Sequence, residues 1–172
     1  MDNKRILEAK TNFDNFLRDE LLCKEQCNSQ ILKQYEDNAI ESLISAKALF
    51  TDNISLLWTV VTSYYAMFYI ASAYVYRKGY RSQHQIVHKV INEALIVFGR
   101  RELQVTLLDE YQEEQDKALT IAGNLLDSYE LERTKRSAFQ YEMTVELKRA
   151  KAKTSLQRAE NFVDIFRKLL HK

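Results

Sequence analysis

The sequence is constrained most by one long stretch without charge, from Ile54 to Tyr76. None of its 23 residues is charged, although 28% of the chain is. A stretch of this length must be shielded from water either by lipid or by protein. Its tyrosines argue against lipid, because Tyr64, Tyr65 and Tyr69 would lie at mid-depth, whereas membrane-spanning helices place tyrosine at the two interfaces. We therefore predict a helix at the centre of a bundle.

The composition of the whole chain favours helices. It has 172 residues, no proline and only three glycines, so it offers few residues for the tight turns of a sheet protein. Apolar residues recur at helical spacing along most of its length. The predicted helices are 3–24, 31–50, a central one from residue 54, one from residue 82 to 98, 101–127 and about 131–170. We predict an all-α, up-and-down bundle of five to six helices with a core of four.

Several short features refine this prediction. Gly79 follows the central helix and is suited to the left-handed conformation of a helix C-terminus, while Ser82 is a potential cap for the next helix. The first ten residues lack the apolar segment of a signal peptide, so we expect a cytoplasmic protein. Cys23 and Cys27 are then expected to be reduced.

Charge is distributed unevenly, although the net charge is only +1. Residues 131–172 carry eleven Lys or Arg against five Asp or Glu, whereas residues 100–130 are acidic. A basic segment of this kind is either a solvated helix face or a surface that binds phosphates. The candidate nucleic-acid-binding residues are Arg136, Lys148, Arg149, Lys151 and Lys153. Tyr141 of the last predicted helix is a further candidate, because it could reach the polar stripe of Arg81, His84 and His88 described below.

The stretch from Arg77 to Leu95 is the best candidate for chemistry, because it holds two of the three histidines. On a helix that advances 100° per residue, Arg81, His84 and His88 would form one polar stripe. The stripe has four possible interpretations. It is a solvated face, a metal site completed by Cys23 and Cys27, an acid–base site acting on a phosphodiester, or a site that binds phosphate without turnover. Spacing alone is compatible with all four.

Three segments resemble the HEPN domains of prokaryotes, especially small stand-alone HEPN proteins encoded beside minimal nucleotidyltransferases. They are SYYAMFYIASAYVYRKGYRSQH at 63–84, HKVINEALIVF at 88–98 and KTSLQRAENFVDIFRKLL at 153–170. The resemblance implies a bundle over residues 31–172, preceded by an added helix in residues 1–30. It also implies a symmetric homodimer, and a nucleotidyltransferase antitoxin as partner.

The same resemblance implies the activity of many family members, which are metal-independent ribonuclease toxins with an Arg-x(4–6)-His motif. Arg81 with His88 matches this spacing, and Arg77 with His84 is the alternative match. In this reading His88 is the general base toward a ribose 2′-OH, Arg81 stabilises the phosphoryl group and His84 is the acid. No metal or other cofactor is implied. The alternative is a non-catalytic scaffold or nucleotide-binding protein that uses the same fold to hold a nucleotidyltransferase.

Overall fold

The computed structural model describes residues 3–83, 86–100, 103–131 and 145–172. Over these residues the chain forms six helices and two short strands, which confirms the predicted all-α bundle. In chain order the elements are α1 (Asn3–Arg18), β1 (Leu22–Lys24), α2 (Ser29–Thr51), α3 (Leu56–Arg77), β2 (Tyr80–Ser82), α4 (Val87–Gly99), α5 (Val105–Leu131) and α6 (Val145–Leu170).

The uncharged stretch forms α3, and α3 is the centre of the bundle. It packs against α2, α4, α5 and α6, and 15 of its 22 residues are buried. The helix begins two residues later than predicted, because the Ser55 hydroxyl accepts a hydrogen bond from the Trp58 amide and caps the first turn. By length and composition alone α3 would also pass for a membrane span. However, 67% of its most apolar window is buried inside the bundle, as expected of a core helix.

A small two-stranded antiparallel sheet, whose strands are far apart in the sequence, includes residues for which the sequence predicted helix. In it, β1 pairs with β2 so that Cys23 lies opposite Arg81. The prediction of helix up to residue 24 was wrong because α1 ends at Arg18 and Glu20 takes a positive φ of 57°, which turns the chain into the strand. Gly79 has φ 86°, the left-handed conformation predicted for it.

The helix that carries His88 begins later than predicted. Ser82 lies in β2 and does not cap it; α4 starts at Val87, after Ile86, whose φ of 45° is left-handed and whose side chain caps nothing. Arg81 is therefore on a strand and His88 is on a helix. The prediction that both lie on one continuous helix face was wrong.

The N-terminal helix is firmly joined to α4. Arg5 donates two hydrogen bonds to the Glu93 carboxylate, at 2.7 and 2.9 Å, and the Glu93 side chain is only 6% exposed. Further along, the ring of Phe13 meets those of Phe98 and Tyr80 edge-on, each at 5.3 Å. A paired, hydrogen-bonded charge and aromatic packing together make α1 part of the same folded body.

Helices α5 and α6 are held together by a buried carboxylate. Glu114 is fully buried on α5 and accepts hydrogen bonds from Lys117 and from Arg158 of α6, each at 2.8 Å. Burial alone would raise the pKa of Glu114, but Lys117, Ser155 and Arg158 outweigh it and lower the pKa. One turn before Glu114, the Tyr111 ring stacks on Phe162 of α6 at 5.3 Å.

Candidate functional site

The imidazole of His88 lies in a cluster of aromatic rings. It is the second residue of α4 and is half-buried. Its ring centroid is 4.4 Å from that of Phe68, 5.6 Å from Tyr64 and 5.8 Å from Tyr65, all on α3. The Tyr64 hydroxyl is 2.8 Å from His88 Nδ1, the one hydrogen bond that the described residues make to this ring. The ring is therefore oriented, with Nδ1 engaged by the protein.

The surroundings of His88 keep it uncharged at neutral pH. Burial lowers the pKa of His88. Burial also raises the pKa of Tyr64, and the neighbouring Tyr111 raises it further, so the Tyr64 hydroxyl keeps its proton. A neutral imidazole bonded through Nδ1 has the properties of a residue that exchanges a proton or donates a hydrogen bond through Nε2.

One face of α3 beside His88 remains partly exposed. We call it the α3 stripe; it consists of Leu57, Trp58, Thr62, Tyr65 and Tyr69. Trp58 is 48% exposed, which is unusual for so large an apolar side chain. Ile86, just before α4, is 52% exposed. An aromatic, uncharged surface of this kind is typical of a contact with another molecule.

Arg81 lies in a different, more polar environment. Its guanidinium is 3.3 and 3.5 Å from the two carboxylate oxygens of Glu25, which itself accepts a hydrogen bond from the Tyr76 hydroxyl at 3.1 Å. Arg81 also lines an open pocket of ≈ 190 Å³ with residues of α2, namely Ile31, Gln34, Tyr35 and Asn38. This is a cationic pocket rich in amide and hydroxyl groups, whose arginine is already paired.

The two members of the predicted motif do not share a site within one protomer. His88 packs against residues 64–68 of α3, whereas Arg81 and its partner Glu25 are grouped around Tyr76. These positions are eight to twelve residues apart on the helix, which corresponds to about 12–18 Å along its axis. The six residues between Arg81 and His88 include the end of β2, the segment before α4 and the first residue of α4.

The sequence matches a known protein family over most of its length. The family model of the HEPN domain matches residues 32–169, most of the chain. The chain belongs to the HEPN domain family. No curated protein and no solved structure matches it. The matched residues begin within α2, so α1, β1 and Glu25 precede them.

The other candidate residues of this HEPN domain are dispersed. Arg77 is exposed at the end of α3. The side chains of Lys148, Arg149, Lys151 and Lys153 are exposed on α6. Arg149 donates to Asn53 Oδ1 at 2.9 Å and lies over the Phe50 ring, so the basic run begins beside the α2–α3 junction. His84, Arg136 and Tyr141 lie outside the described residues.

The metal interpretation loses its geometric basis in the structure. It required Cys23 and Cys27 one turn apart on a helix, but Cys23 is in β1 and Cys27 is in the segment between β1 and α2. Within the described residues, no three His, Cys, Asp or Glu side chains are grouped so that they would hold a metal ion.

The groups that orient His88 and Arg81 were not predicted as site residues. Tyr64 and Phe68 are one helical turn apart on α3, a spacing that the sequence does contain, but nothing in it places α4 against them. Glu25 follows β1 directly and is brought to Arg81 by the pairing of β1 with β2, and three-residue strands give little sequence signal.

Proposed function

We propose that this HEPN domain is a metal-independent endoribonuclease that acts as the toxin of a toxin–antitoxin pair in the cytoplasm. One observation carries the proposal. His88 is a neutral, half-buried imidazole that is oriented through Nδ1 by Tyr64 and lies at the edge of an exposed aromatic surface. An oriented imidazole of this kind is the group that cleavage of RNA without a metal needs.

The proposed reaction is internal transesterification. As the 2′-oxygen of a ribose bonds to the adjacent phosphorus, its proton passes to water. The bond from phosphorus to the 5′-oxygen breaks, the 5′-oxygen takes a proton from water, and a cyclic phosphate remains. His88 acts at this phosphate through Nε2. The role of general base, which the sequence predicts for His88, requires that Nε2 carries no hydrogen. The hydrogen bond between Tyr64 and Nδ1 determines whether it does.

Arg81 has a different place in this proposal from the one predicted by the sequence. The positions on α3 beside which Arg81 and His88 lie are about 12–18 Å apart along the helix axis, so we do not place both side chains on one phosphate within a protomer. We assign Arg81 to a phosphate further along the same RNA strand. The exposed basic run of α6, which begins beside the α2–α3 junction, supplies further backbone contacts.

We propose that two copies pair through the α3 stripe. Pairing would cover Trp58 and the other aromatic residues of the stripe, and it would bring two His88 side chains to the borders of one interface. Analytical ultracentrifugation should give about twice the chain mass of 20.3 kDa. Trp58→Lys should convert the dimer to a monomer. A wild-type mass of one chain at micromolar concentration would contradict the pairing.

The activity test compares variants on total RNA in the presence of EDTA. His88→Ala should lower the cleavage rate by about 10²–10³-fold, the usual effect of removing either an acid–base group or a hydrogen-bond donor to the charge that develops in the transition state. Arg81→Ala should lower it roughly tenfold, because it removes one charge-assisted contact of about 1.5 kcal/mol. His171→Ala is the matched control, since His171 pairs with Glu36 on the surface.

Three outcomes of this test have distinct meanings. Loss only in Arg77→Ala and His84→Ala would move the activity to the alternative motif. Cleavage abolished by EDTA would overturn the metal-independent mechanism. Equal cleavage by wild type and His88→Ala would remove His88 from the reaction.

A second function is favoured by one observation, the pairing of Arg81 with Glu25 away from His88. This arrangement suits a non-catalytic HEPN scaffold or nucleotide-binding protein that holds a minimal nucleotidyltransferase. In either function we propose that nucleotidyltransferase as the partner. Co-expression with the product of the neighbouring gene and purification through a tag on one chain tests it, and a neighbour that does not co-purify would contradict it.

A further inference from the structure

We propose that Tyr64 is a positioning residue whose hydroxyl donates its hydrogen bond to His88 Nδ1, so that Nε2 carries the ring hydrogen and is the nitrogen offered to a ligand. The catalytic meaning of this inference rests on the proposed ribonuclease function. The arrangement of protons itself does not. It follows from the fully buried Tyr64 hydroxyl on α3 and the His88 Nδ1 atom that it meets on α4.

The proton of Tyr64 needs an acceptor inside the protein. Tyr64 is fully buried, so water does not serve, and burial keeps the hydroxyl protonated by raising its pKa. Two groups lie within its reach. His88 Nδ1 is at 2.8 Å, while the Tyr111 hydroxyl is near enough to raise the pKa of Tyr64 but forms no hydrogen bond of ordinary geometry. Nδ1 is the better acceptor.

Tyr111 is not an alternative acceptor of the same quality. Tyr111 is also fully buried, and its hydroxyl makes no hydrogen bond of ordinary geometry to the described residues. If His88 Nδ1 instead donated to the Tyr64 oxygen, the buried Tyr64 proton would be left without a well-placed acceptor, and an unpaired buried donor is unfavourable. Donation from Tyr64 to Nδ1 pairs both groups.

No described charge near His88 opposes this arrangement. The rings that face it from α3 belong to Tyr64, Tyr65 and Phe68, and α3 has no charged residue before its last position. On α5, Asp116 acts on Tyr64 and favours its protonated form. On α4 the adjacent Lys89 is exposed. Burial is the cause of the lowered pKa of His88, and the neutral ring is the form that accepts from Tyr64.

This arrangement changes the role of His88 in the proposed reaction. A neutral ring with hydrogen on Nε2 donates a hydrogen bond to a non-bridging phosphoryl oxygen and so stabilises the charge that develops there. It does not accept the 2′-hydroxyl proton at Nε2. The base role predicted from the sequence would require the opposite tautomer, with Nδ1 donating to Tyr64.

Nitrogen NMR of ¹⁵N-histidine-labelled protein tests the inference without any need for activity. At neutral pH we expect His88 Nδ1 to be unprotonated and Nε2 protonated. Tyr64→Phe keeps the buried ring but removes the hydroxyl, and it should give a mixture of tautomers and raise the His88 pKa toward its ordinary value. Tyr65→Phe is the matched control: its ring also contacts His88, and neither quantity should change. Tyr111→Phe should retain the tautomer, because Tyr64 still donates to Nδ1.

The outcomes separate this inference from the proposed function. A protonated Nδ1 in the wild type, or a tautomer that reverses in Tyr111→Phe, would overturn the inference that Tyr64 donates to Nδ1, whether or not RNA is cleaved. The expected tautomer in a protein that cleaves no RNA would contradict only the ribonuclease function. If both hold, Tyr64→Phe should lower kcat about three- to tenfold, the equivalent of one hydrogen bond.

Discussion

The two ends of α3 hold the two members of the motif by different means. At the N-terminal half, His88 is enclosed by rings from α3, of which Tyr64 also contacts Tyr111 of α5, and none of the described rings that contact it belongs to a charged residue. At the C-terminal end, Arg81 is held by the Glu25 carboxylate in a pocket of polar groups, with 40% of its side chain exposed. The first environment is closed and apolar, and the second is open and charged.

The two environments also come from different parts of the chain. The residues that surround His88 belong to the stretch matched by the HEPN family model, whereas Glu25 and β1 precede it. The state of Arg81 therefore depends on a segment outside the matched domain, and that of His88 does not. The spacing of the motif does not reveal this difference between its two members. Arg81 lies on a strand and His88 lies on a helix, and the same spacing would be found if both lay on one helix.

The largest expected difference between the two ends is in stability. Phe68 is 8% exposed and its ring is the closest to His88, so Phe68→Ala should lower the free energy of unfolding by about 3–4 kcal/mol, as core truncations of this size do. Arg81→Ala is the matched change at the other end. It should cost less than about 1 kcal/mol, because the ion pair is half-exposed. Urea unfolding of both variants measures the difference, and equal losses would contradict the contrast.

A second difference should appear in the pH dependence of stability. The pKa of His88 is lowered in the folded protein, so as pH falls below about 6.5 the unfolded chain takes up a proton before the folded one does and stability decreases. The lowered pKa of Glu114 acts in a lower window, where stability present above about pH 4.5 is lost as pH falls through the folded value.

Substitution at each end separates the contributions to this pH dependence. His88→Gln should flatten the decrease that begins near pH 6.5 and leave the one at lower pH, whereas Arg81→Ala should preserve both. Chemical unfolding at intervals from about pH 7.5 to about pH 3 measures the two windows. If His88→Gln shows the same decrease in stability near pH 6.5 as the wild type, another group causes that decrease.

The central helix could be predicted from the sequence because a long uncharged stretch in an otherwise charged chain must be shielded from water. The break at Gly79 was equally clear, since a left-handed residue is needed there and glycine adopts that conformation at no steric cost. The two-stranded sheet was not predictable, because its strands have three residues each and are held by pairing between distant segments. Local periodicity carries no information on such pairing.

The candidate site was predicted only in part, for a related reason. His88 as a catalytic residue stays a prediction, whereas the helical projection that joined it to Arg81 was wrong because it assumed a helix from residue 82. The left-handed Ile86, a β-branched residue in a conformation that favours glycine, gave no warning of the later start. Tyr64 was predicted only as part of the central helix, and its hydrogen bond to His88 depends on how α4 packs on α3.

The smallest expected effect tests whether Glu25 restrains Arg81. The guanidinium is 3.3 Å from the nearer Glu25 oxygen, and both side chains are one third or more exposed, so the pair contributes at most about 1 kcal/mol. A phosphate that binds Arg81 must compete with this carboxylate. Glu25→Gln should therefore strengthen binding of a short single-stranded RNA by up to about fivefold, which corresponds to the same free energy. Glu41→Gln, an exposed change of equal charge on α2, is the control and should alter binding less. Fluorescence anisotropy at fixed salt measures both, and weaker binding by Glu25→Gln would mean that Glu25 supports the arginine in its binding position.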